Sequence, residues 1–520
     1  MLKRLTIGIV LAALVTGTLW LIVDMGSTVL ADESDTDVYQ LLTTFNRVLQ
    51  VISRDYVDEE TYDDLIYGAI GGMLSTLDPH SMLMEQPMYD NLRLETSGKF
   101  GGLGMQVQIT TEDDTLTVMS PFDGTPAAEA GLQPGDKILA IDGETTFDMD
   151  INEAVGHMRG EPGSEVVLTI YRPGIPGSID YTMTRAEIEV ESVPDHFMVD
   201  AITGYVRISD FAEDTVIEFS ESLLEMEALG MERLILDLRN NPGGTLIAAV
   251  EISEVFSHNG DLVVYTEGRN PEMSRENFHA TAAGYRFDKP VVVLVDNGSA
   301  SASEIVTGAL KAWDRAIIVG TTTFGKGSVQ TLYPLASLSP GAPENMAVKL
   351  TIARYYTPDG VCIDGVGIDP DVHLETVFFT AFSARFVAAG YHRAFATEYR
   401  LSHSINTIGS FEALTDEGLT MLISDFMAEQ EEPFSFEEGE IAGETVDQLR
   451  ITLTAELLNQ LGGTEGRHDA ARYRITQDTW IAEVLRLWDD PAALEEAKAA
   501  TVEILAELAE EKENASRLSH

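Results

Sequence analysis

The sequence predicts a multidomain α/β protein with a helical N-terminal arm, a small β-rich domain, an α/β core and a helical C-terminal extension. Three observations carry this expectation. Between 189 and 375, apolar strand patterns such as LILDL (234–238) alternate with helical ones such as SEIVTGALKAW (303–313). Ahead of them, short strands with period-two alternation, as in Met105, Val107 and Ile109, are broken by Gly and Pro turns. At both flanks apolar residues recur at helical spacing. A chain of 520 residues, 44% of them hydrophobic, has material for several cores, and its length argues for two to four domains.

Residues 1–31 read as a signal peptide or an N-terminal membrane anchor. MLKR is a basic start, Leu5 to Val23 is an almost uninterrupted apolar run, and VLA at 29–31 fits a signal-peptidase site. Release after Ala31 and retention as an anchor both stay open, because 19 residues at ~1.5 Å per residue just span a bilayer. Lys3 and Arg4 keep the first end cytoplasmic, so the chain after Asp32 is expected to be exported, periplasmic or otherwise extracytoplasmic.

The arm, 35–90, carries Leu41, Leu42, Phe45, Val48, Leu49 and Ile52 on one helical stripe. A second helix is expected to end before Asp78-Pro79. In 91–188 the order is GKFGGLGMQVQIT, then TPAAEAGLQPGDKILAIDGETT, a helix-like INEAVGHMRG and the strand SEVVLTIYR. Asp142-Gly143 is a tight reversal. This order is similar to that of a PDZ domain, a β-barrel-like fold. Gly102, Leu103, Gly104 and Met105 would then surround a peptide's terminal carboxylate with backbone N–H groups, while the strand edge adds the peptide as a further strand. Arg159 and Arg172 read as cations on that domain's surface.

The core, 189–375, holds the chemistry. A serine cluster, Ser299, Ser301 and Ser303, lies at a strand-to-helix turn whose helix runs to about Trp313, and Lys326 sits between glycines in FGKG. A lysine acts as a general base only when desolvated, since its ordinary pKa is ~10.4. Phe324, Val329 and the strand Ala316 to Val319 are the expected walls. A neutral amine then activates a serine hydroxyl as nucleophile, and Gln330, four residues on, is spaced to hold that amine. Each of the three serines is equally a candidate helix cap, with Glu304 suiting the helix dipole. The turn NNPGG brings Gly243 and Gly244, whose missing side chains allow close approach to a substrate carbonyl; the helix start offers further N–H donors.

LDLRNNPGG, GSASASEI and TFGKGSVQT, in this order, resemble the core of the C-terminal processing peptidases, or tail-specific proteases. The resemblance implies an α/β protease core of ClpP/crotonase-like type. By motif it makes Ser301 the nucleophile, Lys326 the general base and Gln330 its orienting partner. Ala302 with Gly243 or Gly244 would form the oxyanion hole. YYTPDGVCIDGVGIDPDV at 355–372 is similar to the family's segment after the catalytic strand, and Cys362 within it is assigned no role. The implied function is endoproteolysis of exported proteins chosen by free C-termini, without metal or organic cofactor. The N-terminal arm, which intertwines in dimers of the family, implies a homodimer or higher oligomer. The rival readings are a catalytically silent PDZ adaptor that delivers partners to another protease, and an acyl-transfer or isomerase enzyme on the same kind of core.

Residues 376–520 are helical by periodicity and acidic, consistent with a cap or an oligomerisation element. A single cysteine excludes an internal disulfide, and the isolated histidines of HRAF and GRHDAARY do not make a zinc site. The net charge of −53, with nine lysines in all, excludes nucleic acid as a natural partner. The acid is spread along the whole chain, which suggests either a saline exterior where salt screens self-repulsion or an ordinary acidic exported protein. The first of these requires the unfolding temperature to rise with salt; a flat response from low to molar salt removes it.

Overall fold

The computed structural model describes residues 33–518 apart from 86–87, 90–98, 111–114, 122–124, 133–135, 148, 150, 173–176, 190, 259, 270–273, 282–283, 344, 376–379, 389, 404–406 and 431–440. The expected signal or anchor segment, 1–31, lies outside these residues. Among the described residues no helix is long and apolar enough to cross a membrane. Two compact units are present, one reaching to Leu83 with Val348–Leu350, the other holding Met84–Ala347 and Thr351 onward.

The first unit contains the helices Glu33–Asp55 and Tyr62–Leu74. Thr61 caps the second, accepting from the Asp64 N–H at 3.1 Å. Asp78 closes the following turn by accepting from the N–H groups of His80 and Ser81. The stripe read from the sequence is real but uncovered: Leu41, Leu42, Phe45 and Val48 are all exposed.

In the second unit, the six-stranded PDZ sheet runs in the order Met105–Thr110, Thr115–Pro121, Lys137–Ile141, Glu165–Tyr171 and Ser178–Thr184, with Glu144–Thr145 paired to Lys137–Ile141 off this path. The Asp142-Gly143 turn has positive φ at both residues, 49° and 82°, the combination a two-residue hairpin needs to match strand twist. Leu116, Val118, Ile138, Leu168 and Ile170 fill the core, against which Ala154 and Met158 of the helix Ile151–Met158 pack. Arg172 is not the solvated cation expected. Its guanidinium pairs with the buried Asp136 at 2.6 and 2.7 Å and donates to the Gly131 carbonyl, so it is spent within the domain.

The core sheet runs Asp195–Met198, Thr203–Arg207, Arg233–Asp237, Val291–Val295, Ala316–Gly320 and Val372–His373, parallel after the first pair. Val291–Val295 is VVVLV and buried throughout, as a parallel strand covered on both faces must be. Alternation divides the side chains. Leu234, Leu236, Val293 and Ile318 face the helices Thr215–Ala228, Leu246–Phe256 and Ala302–Ala312. Tyr205, Ile235, Leu294 and Val319 face Trp480, Ile481, Val484 and Leu487 of Thr479–Asp489. The C-terminal extension thus supplies the second helical layer of the core, which its acidic helical pattern did not disclose. Between His373 and Thr479 in chain order, a separate helical bundle is centred on Phe382, Phe386, Phe395, Phe411 and Phe426. His392, within that bundle, is half-buried; burial holds its imidazole down at about 4, with the Arg393 charge adding to the effect.

Candidate active site

The strand Val291–Val295 ends at the sheet's carboxyl edge, and the chain turns through Asn297–Ala300 into the helix Ala302–Ala312. Ser301 is the N-cap, with φ 54° and ψ −109°, a region an L-residue occupies only under constraint and at a cost of about 1–3 kcal/mol. The constraint is visible. The Ser301 N–H donates to Glu304 Oε2 at 2.8 Å, and the Ala300 N–H donates to the Asn241 carbonyl at 3.0 Å.

The three serines have different surroundings. Ser299 is fully buried and its hydroxyl donates to the Leu238 carbonyl at 2.8 Å. Ser303 is fully buried and donates to the Asn241 carbonyl at 3.0 Å. Ser303 pins the serine turn to the NNPGG turn and Ser299 pins it to Leu238, just ahead of that turn. Ser301 alone of the three is partly exposed, and its hydroxyl donates to nothing among the described residues.

Gly243 and Gly244 lie beside this serine. A Cβ on Gly243 would stand 2.8 Å from both Ser301 Cβ and the Ala302 nitrogen, and one on Gly244 would stand 2.2 Å from the Phe211 carbonyl oxygen; φ is 103° and 150°. Only glycine fits either position. The two N–H groups differ. That of Gly243 is held by Asn241 Oδ1 at 2.8 Å, whereas those of Gly244 and Ala302 have no acceptor among the described residues. Asn241, fully buried, also donates from Nδ2 to the Ile208 carbonyl at 2.8 Å, which fixes the turn.

Lys326 follows Gly325, whose φ of 87° and contact with the 365–367 turn close the backbone tightly there. Its side chain is half-buried, and its amine has no hydrogen bond or ion pair among the described residues. Phe324 is not the wall expected. It is 63% exposed, because the space behind Gly325 is taken by Val366 and Gly367. Gln330 lies on the strand Ser328–Pro334, and its amide nitrogen donates to Ser328 Oγ at 2.8 Å and Thr351 Oγ1 at 3.3 Å, not to Lys326.

What joins the serine turn to the lysine turn is Glu304, which the sequence reading used only as a helix-dipole complement. Its Oε1 accepts from Thr323 Oγ1 at 2.6 Å and the Gly325 N–H at 2.7 Å; its Oε2 accepts from the N–H groups of Ser301 at 2.8 Å and Lys326 at 2.9 Å. Burial pushes this carboxyl above its ordinary range while the four donors pull it back. The spacing Ser301-x-x-Glu304 is a capping box, and that was the available signal.

A second carboxylate, Asp237, ends the strand before the glycine turn. Burial opposes its charge, but the Arg239 guanidinium, at 2.6 Å, holds it below the usual range, and Tyr205 donates to it at 2.7 Å. In the PDZ domain, the strand Met105–Thr110 is at the sheet edge. The Leu103 and Gly104 carbonyls are taken by the Ala127 N–H and Thr125 Oγ1, while the Leu103 and Gly104 N–H groups have no acceptor among the described residues. The Leu103 side chain is buried in the core.

Comparison with known proteins agrees with this arrangement. Residues 202–374 match the model of peptidase family S41, 117–172 that of the PDZ domain, and 23–87 that of the activating protease CtpB N-terminal domain. The chain is 40% identical to the carboxy-terminal-processing protease of Bartonella bacilliformis over 66% of this chain and 77% of that one. It is 40% identical to the carboxyl-terminal-processing protease of Synechocystis sp. over 61% and 71%. Among solved structures it is similar to the photosystem II D1 C-terminal processing protease, at 30% identity, with 64% and 92% covered and a TM-score of 0.38. With its serine turn, glycine turn and PDZ domain, the chain belongs to peptidase family S41, as a serine-type C-terminal processing peptidase.

Proposed function

We propose that the chain is an exported endopeptidase that selects proteins by a free C-terminus bound in the PDZ groove and cleaves them with Ser301 and Lys326. The observation that carries this reading is the state of Ser301: a strained cap, partly exposed, its hydroxyl proton without an acceptor among the described residues, with the N–H groups of Ala302 and Gly244 likewise without one. Neutral Lys326 takes the hydroxyl proton as Ser301 Oγ bonds to the scissile carbonyl carbon. The negative oxygen is received by the N–H groups of Ala302 and Gly244. The resulting ammonium protonates the departing amine, and an acyl-enzyme is left on Ser301. Lys326 then deprotonates a water that attacks the ester, returning the serine hydroxyl. The hydrogen bond between the two residues closes when substrate excludes water, as is common for sites seen without substrate. Gln330 reaches the amine by leaving Ser328, a side-chain rotation on the same strand.

The bound C-terminus would lie against the free edge of Met105–Thr110 with its carboxylate on the Leu103 and Gly104 N–H groups. A fluorophosphonate probe tests the first half of the reading: labelling recovered by peptide mass spectrometry at Ser301 is expected, and labelling at Ser299, Ser303 or nowhere ends it. Amidating the C-terminus of a peptide substrate tests the second half. The free acid should be cleaved at lower concentration than its amide, and equal KM values would remove the PDZ domain from selection.

The uncovered stripe Leu41, Leu42, Phe45 and Val48 supports a homodimer through the arm, since a surface helix exposing a continuous apolar face is a poor monomer. Sedimentation of the chain beginning at residue 35 should give a dimer, and deletion to residue 60 a monomer. The N-terminal run supports export with or without a retained anchor.

A further inference from the structure

We infer that Asp478, in the C-terminal extension, is a positioning residue for the oxyanion turn, so that the extension takes part in catalysis. The inference rests on the Ser301 reading above. Nothing in the matched S41 segment, which ends at 374, includes this residue.

Arg239 stands four residues before Gly243 and links two carboxylates. Its Nε and Nη2 meet Asp237 at 2.9 and 2.6 Å, on the strand that enters the turn. Its Nη1 meets Asp478 Oδ2 at 2.8 Å, and its guanidinium lies over the Trp480 ring at 5.3 Å. Asp478 is itself immobilised, because Oδ1 caps the helix Thr479–Asp489 by accepting from the Trp480 N–H at 2.8 Å. Trp480 is locked in turn. Its indole N–H donates to the Glu375 carbonyl at 3.0 Å, and its ring fills the place where a side chain on Gly320 would be, 2.7 Å from a Cβ there.

One oxygen of Asp478 therefore holds the helix and the other holds the arginine at the base of the turn. The pair Asp237–Arg239 fixes where the turn begins; Asp478 fixes the direction in which Arg239, and the backbone attached to it, leans. Gly244 presents its N–H at the far end of that turn, five residues beyond Arg239, the residue Asp478 grips, on the same chain segment as the Asn241 hook. Loss of the Asp478 charge leaves Arg239 paired with Asp237, so no buried charge is stranded and the fold should survive.

The test uses the full chain and a peptide substrate with a free C-terminus. Asp478→Asn and Asp478→Ser both keep a side chain able to cap the helix. Each is expected to lower kcat about tenfold, within the ~10²-fold that a misplacement of 1 Å can cost, with KM and unfolding temperature little changed. Asp490→Ala is the control for mere structural loosening. It removes the acceptor for the Ala492 and Ala493 N–H groups at the start of the next helix without touching Arg239, and its kcat should equal that of wild type. Unaltered kcat in both Asp478 variants, or an equal fall in Asp490→Ala, overturns the inference. Ser301→Ala run alongside separates the two readings: cleavage by that variant sinks the nucleophile assignment, whereas an inert Ser301→Ala with a fully active Asp478→Asn sinks only the role of Asp478.

Discussion

Ser301→Ala is expected to leave casein intact while wild type degrades it, a fall in kcat of about 10⁴- to 10⁶-fold, since the residual rate comes from binding and the oxyanion donors alone. Lys326→Ala should fall as far. Lys326→Arg should not recover, although it keeps the charge and most of the length, because a guanidinium does not lose its proton in a protein. The arginine variant matters most: a lysine that only attracted substrate would be replaced by arginine with little loss. Ser303→Ala is the comparison that separates chemistry from architecture. It deletes a buried hydrogen bond to the Asn241 carbonyl, so it should lower stability by about 1 kcal/mol and still cleave casein. Equal degradation by wild type and Ser301→Ala would remove Ser301 from the mechanism.

How far the site was legible in the sequence depended on whether the deciding physics was local. The motif order and the Asp142-Gly143 reversal depend on neighbours in the chain, and both were readable. Which of Ser299, Ser301 and Ser303 is free depends on the Leu238 and Asn241 carbonyls, some sixty residues away, and chemistry alone left the three serines equal. Lys326 was assigned walls by proximity in sequence, yet Phe324 is exposed because the interior beside Gly325 belongs to the 365–367 turn. The C-terminal extension was the least readable part. A helix packed on a parallel sheet needs an apolar stripe and nothing more, so its sequence does not say which surface it covers. Only the contacts of Trp480 and Asp478 with the core reveal that it completes the α/β/α sandwich.

Glu304→Gln should be the most damaging change that leaves every reacting atom in place. The carboxylate has only acceptors, and it faces only donors: Thr323 and Gly325 on one oxygen, Ser301 and Lys326 on the other. An amide supplies one oxygen and one NH₂, so whichever way it turns, at least one backbone N–H meets hydrogens instead of a lone pair, and two do when the NH₂ takes the place of Oε2. If Oε2 becomes the NH₂ group, the Ser301 and Lys326 backbones lose their shared acceptor, and φ of Ser301 at 54° keeps only the hydrogen bonds of its neighbours Ala300, Ser299 and Ser303 to hold it. If Oε1 does, the Gly325 N–H loses its acceptor and the Thr323 hydroxyl has to turn and accept instead, so the lysine turn shifts away from the helix. At about 1.5–3 kcal/mol for a hydrogen bond to a charged group, losing two predicts destabilisation of about 3 kcal/mol or more, visible as a lower unfolding temperature. With nucleophile and base on separately relaxed turns, kcat should fall by about 10²-fold or more while KM stays near that of wild type, because the groups proposed to bind the C-terminus are in the PDZ domain. Acid should act the same way. Burial holds the Glu304 carboxyl above its ordinary range, so it takes a proton at milder acidity than an exposed glutamate would, and the new O–H then confronts the same donors. The acid-side loss of activity in wild type should therefore include a component absent from Glu304→Gln, whose residual rate has no carboxyl left to protonate at that place. Parallel pH profiles in the two proteins, or a variant that melts early but keeps its full kcat, would leave Glu304 as a structural brace with no part in aligning serine and lysine.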